Sequence, residues 1–193
     1  EFDGRYAAML SHEPKNYALQ PHEGALRLRG VAFRSSRAEP FGEAFLRRAI
    51  GCLLGGDVAG VQREYIATVT ALRRRAIPTA GVAARVRLTK SPAQYLATRT
   101  SRRELSYEAA LGSGMTSWAV DGDEQAAIAD RRDYDVDYYV ALLRDTFAAR
   151  LQRALAPEDL AAVFADPQQT SLFAAPLSHA RPILTILPNP LDA

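Results

Sequence analysis

Asp133-Tyr134-Asp135-Val136-Asp137 places three carboxylates at alternate positions, an arrangement that cation-binding loops use. A calcium loop also needs a glycine to turn the chain around the ion, and here Tyr138 follows Asp137 directly. An apolar repeat starts at Val136 and runs through Tyr139, Val140, Leu143, Phe147 and Leu151. The carboxylates therefore fall in the first turn of a helix, where capping and the helix dipole stabilise them by roughly 0.5–2 kcal/mol. Asp121-Gly122-Asp123 reads as a turn. His12, His22 and His179 have no Cys or His at metal-ligand spacing. Ser11 beside His12 is adjacency, not a nucleophile and its base, because such partners are brought together by the fold. No glycine-rich phosphate loop with a following Lys is present, and no dinucleotide fingerprint.

The cations are the more productive set. Of the 24 Lys and Arg, all but Lys15 and Lys90 are Arg, whose planar fork matches phosphate oxygens. Residues 1–105 carry 18 Lys and Arg against 9 Asp and Glu, whereas residues 106–193 carry 6 against 13. A basic half beside an acidic half implies a polyanion-binding surface on one side. Lys15-Asn16-Tyr17 follows a turn, Arg27 and Arg29 share one face of a strand, and Arg34-Ser35-Ser36-Arg37 leads into a helix. Thr89-Lys90-Ser91 is a second loop of short hydroxyl donors around a cation. Short donors, a flexible cation and a nearby helix N-terminus are what phosphate contacts require. The same residues also suit an ordinary solvated strand and loop surface.

The elements that would position them follow from periodicity. Residues 1–33 read as a three-stranded antiparallel meander, with turns at His12–Pro14 and Pro21–Gly24. Leu26 and Leu28 alternate with Arg27 and Arg29, then the apolar phase slips to Val31 and Phe33, which predicts a β-bulge at Gly30. A helix is predicted over 39–55, stopped by Gly55-Gly56, and a second begins after the cap Asp57 and ends at Arg73-Arg74-Arg75. The two form an antiparallel pair. Short elements follow: a strand at 85–90, helical turns at 92–97 and 104–111, and a strand at Trp118-Ala119-Val120. A long helix from about Asp135 to Leu155 and a short one from Pro157 complete the body, before the proline-broken tail 184–190. The fold class is α+β: a small antiparallel meander, then a mostly helical body.

Hydrophobic residues make up 48% and charged residues 24%, an ordinary globular balance with a core that needs no staples. No run of about 18 apolar residues exists, so no membrane partner is expected. The single Cys52 reads as a reduced, buried thiol, which favours a cytoplasmic location. The chain opens on Glu1-Phe2-Asp3 in strand-like composition without Met, as expected of a piece of a longer polypeptide.

Taken in order, these motifs resemble the end of the palm and the thumb of family B DNA polymerases, most closely the bacterial members. DGRYAAMLSHEPKNYAL is similar to the family's palm strands with the Lys-Lys-Arg-Tyr-type motif, here Lys15-Asn16-Tyr17 preceded by Pro14. LRLRGVAFRSSRAEPF resembles the passage from palm into thumb, with Arg34-Ser35-Ser36-Arg37 where Arg-Arg-Asp is common. VRLTKSPAQY resembles the thumb's Thr-Lys loop, and YDVDYYVALLRDTF the start of the late thumb helix. The likeness runs from about residue 1 to 155. It departs after Trp118, where DGDEQAAIAD replaces a basic, glycine-led strand, and it leaves the last 38 residues unassigned.

The resemblance implies a palm edge over 1–36, a thumb over 37–155 and a partly extended C-terminal segment over 156–193. It implies a nucleotidyltransferase as the parent protein, with primer–template duplex DNA and the remainder of the polymerase as partners and a nucleoid-associated location. Lys15 and Tyr17 would lie by the minor groove at the primer end. Arg34, Ser35, Arg37, Thr89 and Lys90 would follow the phosphates, with Asn16, Arg27, Arg29 and Ser91 as further DNA contacts. Two-metal nucleotidyl transfer needs paired carboxylates, which the family carries upstream of this segment. Mg²⁺ is thus expected in the parent enzyme and not on this chain, and the chain alone is expected to be inactive. The competing readings are a standalone nucleic-acid-binding module reading bases with Arg63 and Arg73–Arg75, a protein-interaction domain using exposed Tyr and Phe, and a metal enzyme on Asp133–Asp137.

Overall fold

The structure is a computed structural model that describes residues 6–34, 38–87, 116–119, 130–166 and 177–183. Three antiparallel strands open the chain: β1 (Tyr6–Glu13), β2 (Asn16–Pro21) and β3 (Arg27–Arg29), in that order across the sheet. Registers Leu10↔Ala18 and Ala18↔Leu28 stack these three side chains on the inner face. Met9, Tyr17, Leu19, Arg27 and Arg29 alternate onto the outer face. The pairing steps two residues along β1 but one along β2 between Tyr6↔Pro21 and Ala8↔Gln20, so Ala7 is bulged. The bulge swings Tyr6 to the outer face, where its ring meets Arg27 at 6.0 Å and its hydroxyl accepts from Arg27 Nη1.

The strand does not bulge at Gly30 as its phase slip predicts. It ends there. Gly30 has φ +84, and its carbonyl accepts from the N–H groups of Phe33 and Arg34, so residues 30–34 form a turn. The shift in apolar phase marks the change from strand to turn, not an extra residue within a ladder.

Helices α1 (Pro40–Leu54) and α2 (Val58–Arg73) form the predicted pair, joined through Gly55-Gly56-Asp57. The Asp57 side chain caps α2 by accepting from the Gly60 N–H at 2.7 Å. Phe45 meets Tyr65 edge-on across the pair. Cys52 is half-buried, less than expected, and burial raises its thiol pKa with help from Asp57 and Glu64, so it stays protonated at neutral pH. A short turn, α3 (Thr79–Val82), leads to β4 (Ala84–Arg87), which pairs in parallel with β5 (Thr116–Ala119). The predicted elements at 92–97 and 104–111 and the tail 184–190 lie outside the described residues.

The predicted helix over 135–155 is a continuous rod of three helical types. It starts as α4 (Val136–Leu142), widens to a π-turn at Leu143–Phe147 and tightens to a 3-10 helix at Ala148–Ala154. Its buried side chains Tyr139, Leu143, Phe147 and Leu151 recur every four residues. At 3.6 residues per turn such a stripe drifts about 40° per step, and the wider π-turn offsets that drift. Asp135 caps α4 by accepting from the Tyr138 N–H, the role its position predicts. Helix α5 (Pro157–Val163) follows, and Arg73 clamps the residues beyond it through both oxygens of Asp166. Ala18, Leu28 and Phe33 of the sheet end join Phe41, Phe45, Tyr139 and Phe147 in one apolar core.

A polar clasp returns the chain to this core at residue 130. Asp130 Oδ1 accepts from the Thr79 N–H at 2.9 Å, and Asp130 Oδ2 accepts from Arg132. Arg75 donates to the carbonyls of Arg132 and Tyr134, while Arg132 donates back to those of Arg75 and Ala76. The Arg132 hydrogen bonds, then the Thr79 N–H, hold the Asp130 pKa below its ordinary 3.8. A carboxyl depressed in the folded state contributes stability above its unfolded pKa and loses it as pH falls through the native value. Wild type should therefore lose stability more steeply than Asp130→Asn as the pH falls below about 4, and equal losses, followed by circular dichroism, would show the carboxylate to be idle.

Two glycines of α1 test the packing against each other. A Cβ on Gly51 meets nothing, whereas one on Gly42 would lie 2.1 Å from the buried Phe147 ring. Gly51→Ala should raise stability by about 0.5–1 kcal/mol, the ordinary helical gain. Gly42→Ala should lower it despite the same propensity gain, by about 1–3 kcal/mol of overpacking, both read by urea unfolding.

Candidate nucleic-acid interface

The hairpin between β1 and β2 closes with Glu13 opposite Asn16 and Pro14-Lys15 at the tip. Proline followed by a residue at positive φ is the pattern of a type II turn, and Lys15 has φ 70. Glycine or asparagine usually fills that position, because a β-carbon is strained there. The tip nonetheless carries an exposed lysine.

The turn after β3 packs directly on this tip. A Cβ on Gly30 would lie 2.2 Å from both Asn16 Oδ1 and the Lys15 carbonyl oxygen, so only glycine fits the contact. Asn16 Oδ1 accepts from the Ala32 N–H at 2.9 Å. In the next peptide unit, Arg150 Nη1 donates to the Ala32 carbonyl. Arg150 is itself half-buried, with its guanidinium 4.9 Å from the centre of the Phe147 ring. Burial pulls its pKa down and Glu39 and Glu43 push it up, leaving it charged at neutral pH. Phe33, 1% exposed, plugs the turn into the core against the His12 ring.

This construction gathers Lys15, Arg29 and Arg34 at one end of the sheet, all exposed. Arg29 pairs with Tyr17, while Arg27 stands opposite Leu19, two residues farther from the tip, and leans on Tyr6. None of Lys15, Arg29 and Arg34 has a carboxylate partner among the described residues, and Glu13 is the acid on the hairpin itself. Asn16, expected as a DNA contact, spends its side-chain oxygen on the fold. Ser35, Arg37, Thr89, Lys90 and Ser91 lie outside the described residues.

The helix N-terminus expected to help hold phosphate carries two acidic residues and no side-chain cap. Glu39 is the N-cap of α1 and Glu43 lies in its first turn, and the Gly42 and Glu43 N–H groups donate to the Glu39 carbonyl. Sequence reasoning missed Arg150, and it read Val31 as a strand position. Nothing local signals the first, since its partner is 118 residues away. Among the described residues no three His, Cys, Asp or Glu side chains come together as a metal site. No described helix is long and apolar enough to cross a membrane. No protein-family model matches the chain, and no curated protein matches it.

The strained tip and the crowded glycine predict opposite responses. Lys15→Gly should raise stability by up to about 1 kcal/mol by relieving the left-handed backbone. Gly30→Ala should lower it by more than about 2 kcal/mol, since both its φ and its backbone neighbour forbid a methyl. Urea midpoints at constant slope check both.

Proposed function

We propose that this chain is the palm-edge and thumb part of a family B DNA polymerase, gripping primer–template duplex through sequence-independent phosphate contacts. The observation that carries the reading is the sheet end itself. Lys15, Arg29 and Arg34 stand exposed there with no carboxylate partner among the described residues, beside two turns locked together by Gly30, Asn16 and Arg150. A duplex that must slide through in any sequence is held by its backbone, and unpaired cations on a rigid surface suit that task. The ordered likeness of the motifs to the palm-to-thumb passage supplies the polymerase part of the reading. On this reading the catalytic carboxylates and their Mg²⁺ belong to the remainder of the polymerase. Of the carboxylates here, Asp135 caps a helix and Asp130 is tied to Arg132 and Thr79, so these two are committed to the fold.

Salt titration of duplex binding by fluorescence anisotropy tests it. The logarithm of affinity should fall against that of salt with a slope of roughly −0.9 per phosphate neutralised. Arg34→Ala should make the slope shallower by about one such unit, equally on unrelated sequences. Binding indifferent to salt, or a loss confined to one sequence, would overturn the proposal.

A further inference from the structure

Val31 stands at the crest of the Gly30–Phe33 turn and is 75% exposed, the most exposed large hydrophobic side chain among the described residues. A lone apolar residue on a surface ordinarily needs no account. This one is held out by a backbone with little freedom to withdraw it. Gly30 is wedged against Lys15 and Asn16, the N–H and the carbonyl of Ala32 are both hydrogen-bonded, and Phe33 is buried. Exposed cations flank it in sequence, Arg29 before and Arg34 after, and the Lys15 tip adjoins the turn.

We infer that Val31 is a binding residue that packs on the sugar carbons of a nucleic-acid strand whose phosphates are held by Lys15, Arg29 and Arg34. The inference rests on the proposed duplex-binding role and deepens it. Along a strand, charged phosphates alternate with the apolar edges of the sugars. An apolar crest between cations matches that alternation, and a partner made of charge alone would leave it unused. A branched, stiff side chain also loses little freedom on contact.

The test compares two probes on the full chain: a mixed-sequence DNA duplex and inorganic polyphosphate, which has the charge without the sugars. Val31→Ser should weaken duplex binding about fivefold at every salt concentration, as expected for loss of a partly buried apolar contact. The salt slope should stay unchanged, polyphosphate binding should stay at the wild-type level, and Val31→Ile should retain duplex affinity. Val31→Ser matching wild type on duplex, or weakening both probes alike, would overturn the inference. A steep wild-type salt slope beside a silent Val31→Ser variant removes the sugar contact alone. Failure of the wild-type chain to bind duplex removes the duplex-binding role as well and reassigns the crest to a protein partner.

Discussion

The backbone of a single residue, Ala32, joins the sheet to the helical body at the turn beside the exposed cations. Its N–H is taken by Asn16 from the hairpin, and its carbonyl is taken by Arg150 from the helical rod. A neutral hydrogen bond contributes about 0.5–1.5 kcal/mol and one to a charged group about 1.5–3, so the pair matters on the scale of a domain's whole stability. Its larger effect is geometric. A turn bonded to one element only can swing, whereas this one is tied to both the hairpin and the rod, and the backbone that carries Arg29, Val31 and Arg34 is held with it. The cost lies in Arg150, a charge drawn halfway into the protein and compensated by the Phe147 ring beneath it and the nearby Glu39 and Glu43.

The second joint follows a different logic. At the clasp, Arg75 and Arg132 each adopt a positive φ, 51 and 52, which side chains other than glycine rarely take. Each donates to carbonyls next to the other, and Asp130 bridges Arg132 to the start of α3. The backbone strain is offset by satisfying carbonyls at a place where the chain has no regular ladder to do so. The result is that the segment entering the late rod is registered against the end of α2, and through the rod Phe147 and Arg150 reach the sheet.

What the sequence discloses here is what short-range periodicity can encode. The α1–α2 pair, the Asp57 and Asp135 caps and the hairpin follow from spacing and turn chemistry, because each is decided within a few residues. The meeting of Gly42 with Phe147 and of Ala32 with Arg150 depends on packing between elements far apart in the chain, and no local pattern carries it. Gly30 shows how the two mix: its conformational demand was legible, but a bulge and a strand-ending turn ask for the same residue. The rod illustrates a further loss, since a stripe spaced by four looks α-helical in sequence and is accommodated by a π-turn in space. Within the candidate site, Lys15 and Arg34 are exposed, while the Asn16 side-chain oxygen is taken by the Ala32 N–H, a contact no local pattern signals.

Counting charge by halves of the chain points to the basic front, but pairing decides which cations remain to act. On the helical body Arg48 meets Glu64, Arg63 meets Asp57, Arg73 meets Asp166, and Arg144 meets Asp145. Such surface pairs contribute little stability, about 0–1 kcal/mol each. They nevertheless cancel the local field, so these arginines cannot draw a polyanion as strongly as their number implies. At the sheet end the reverse holds: Lys15, Arg29 and Arg34 keep their field because no carboxylate among the described residues closes on them. A cation left unpaired on a mobile loop would be a solvated charge and little else. Held on two interlocked turns, it retains both its field and its position, and a repeating anionic backbone requires both of its reader.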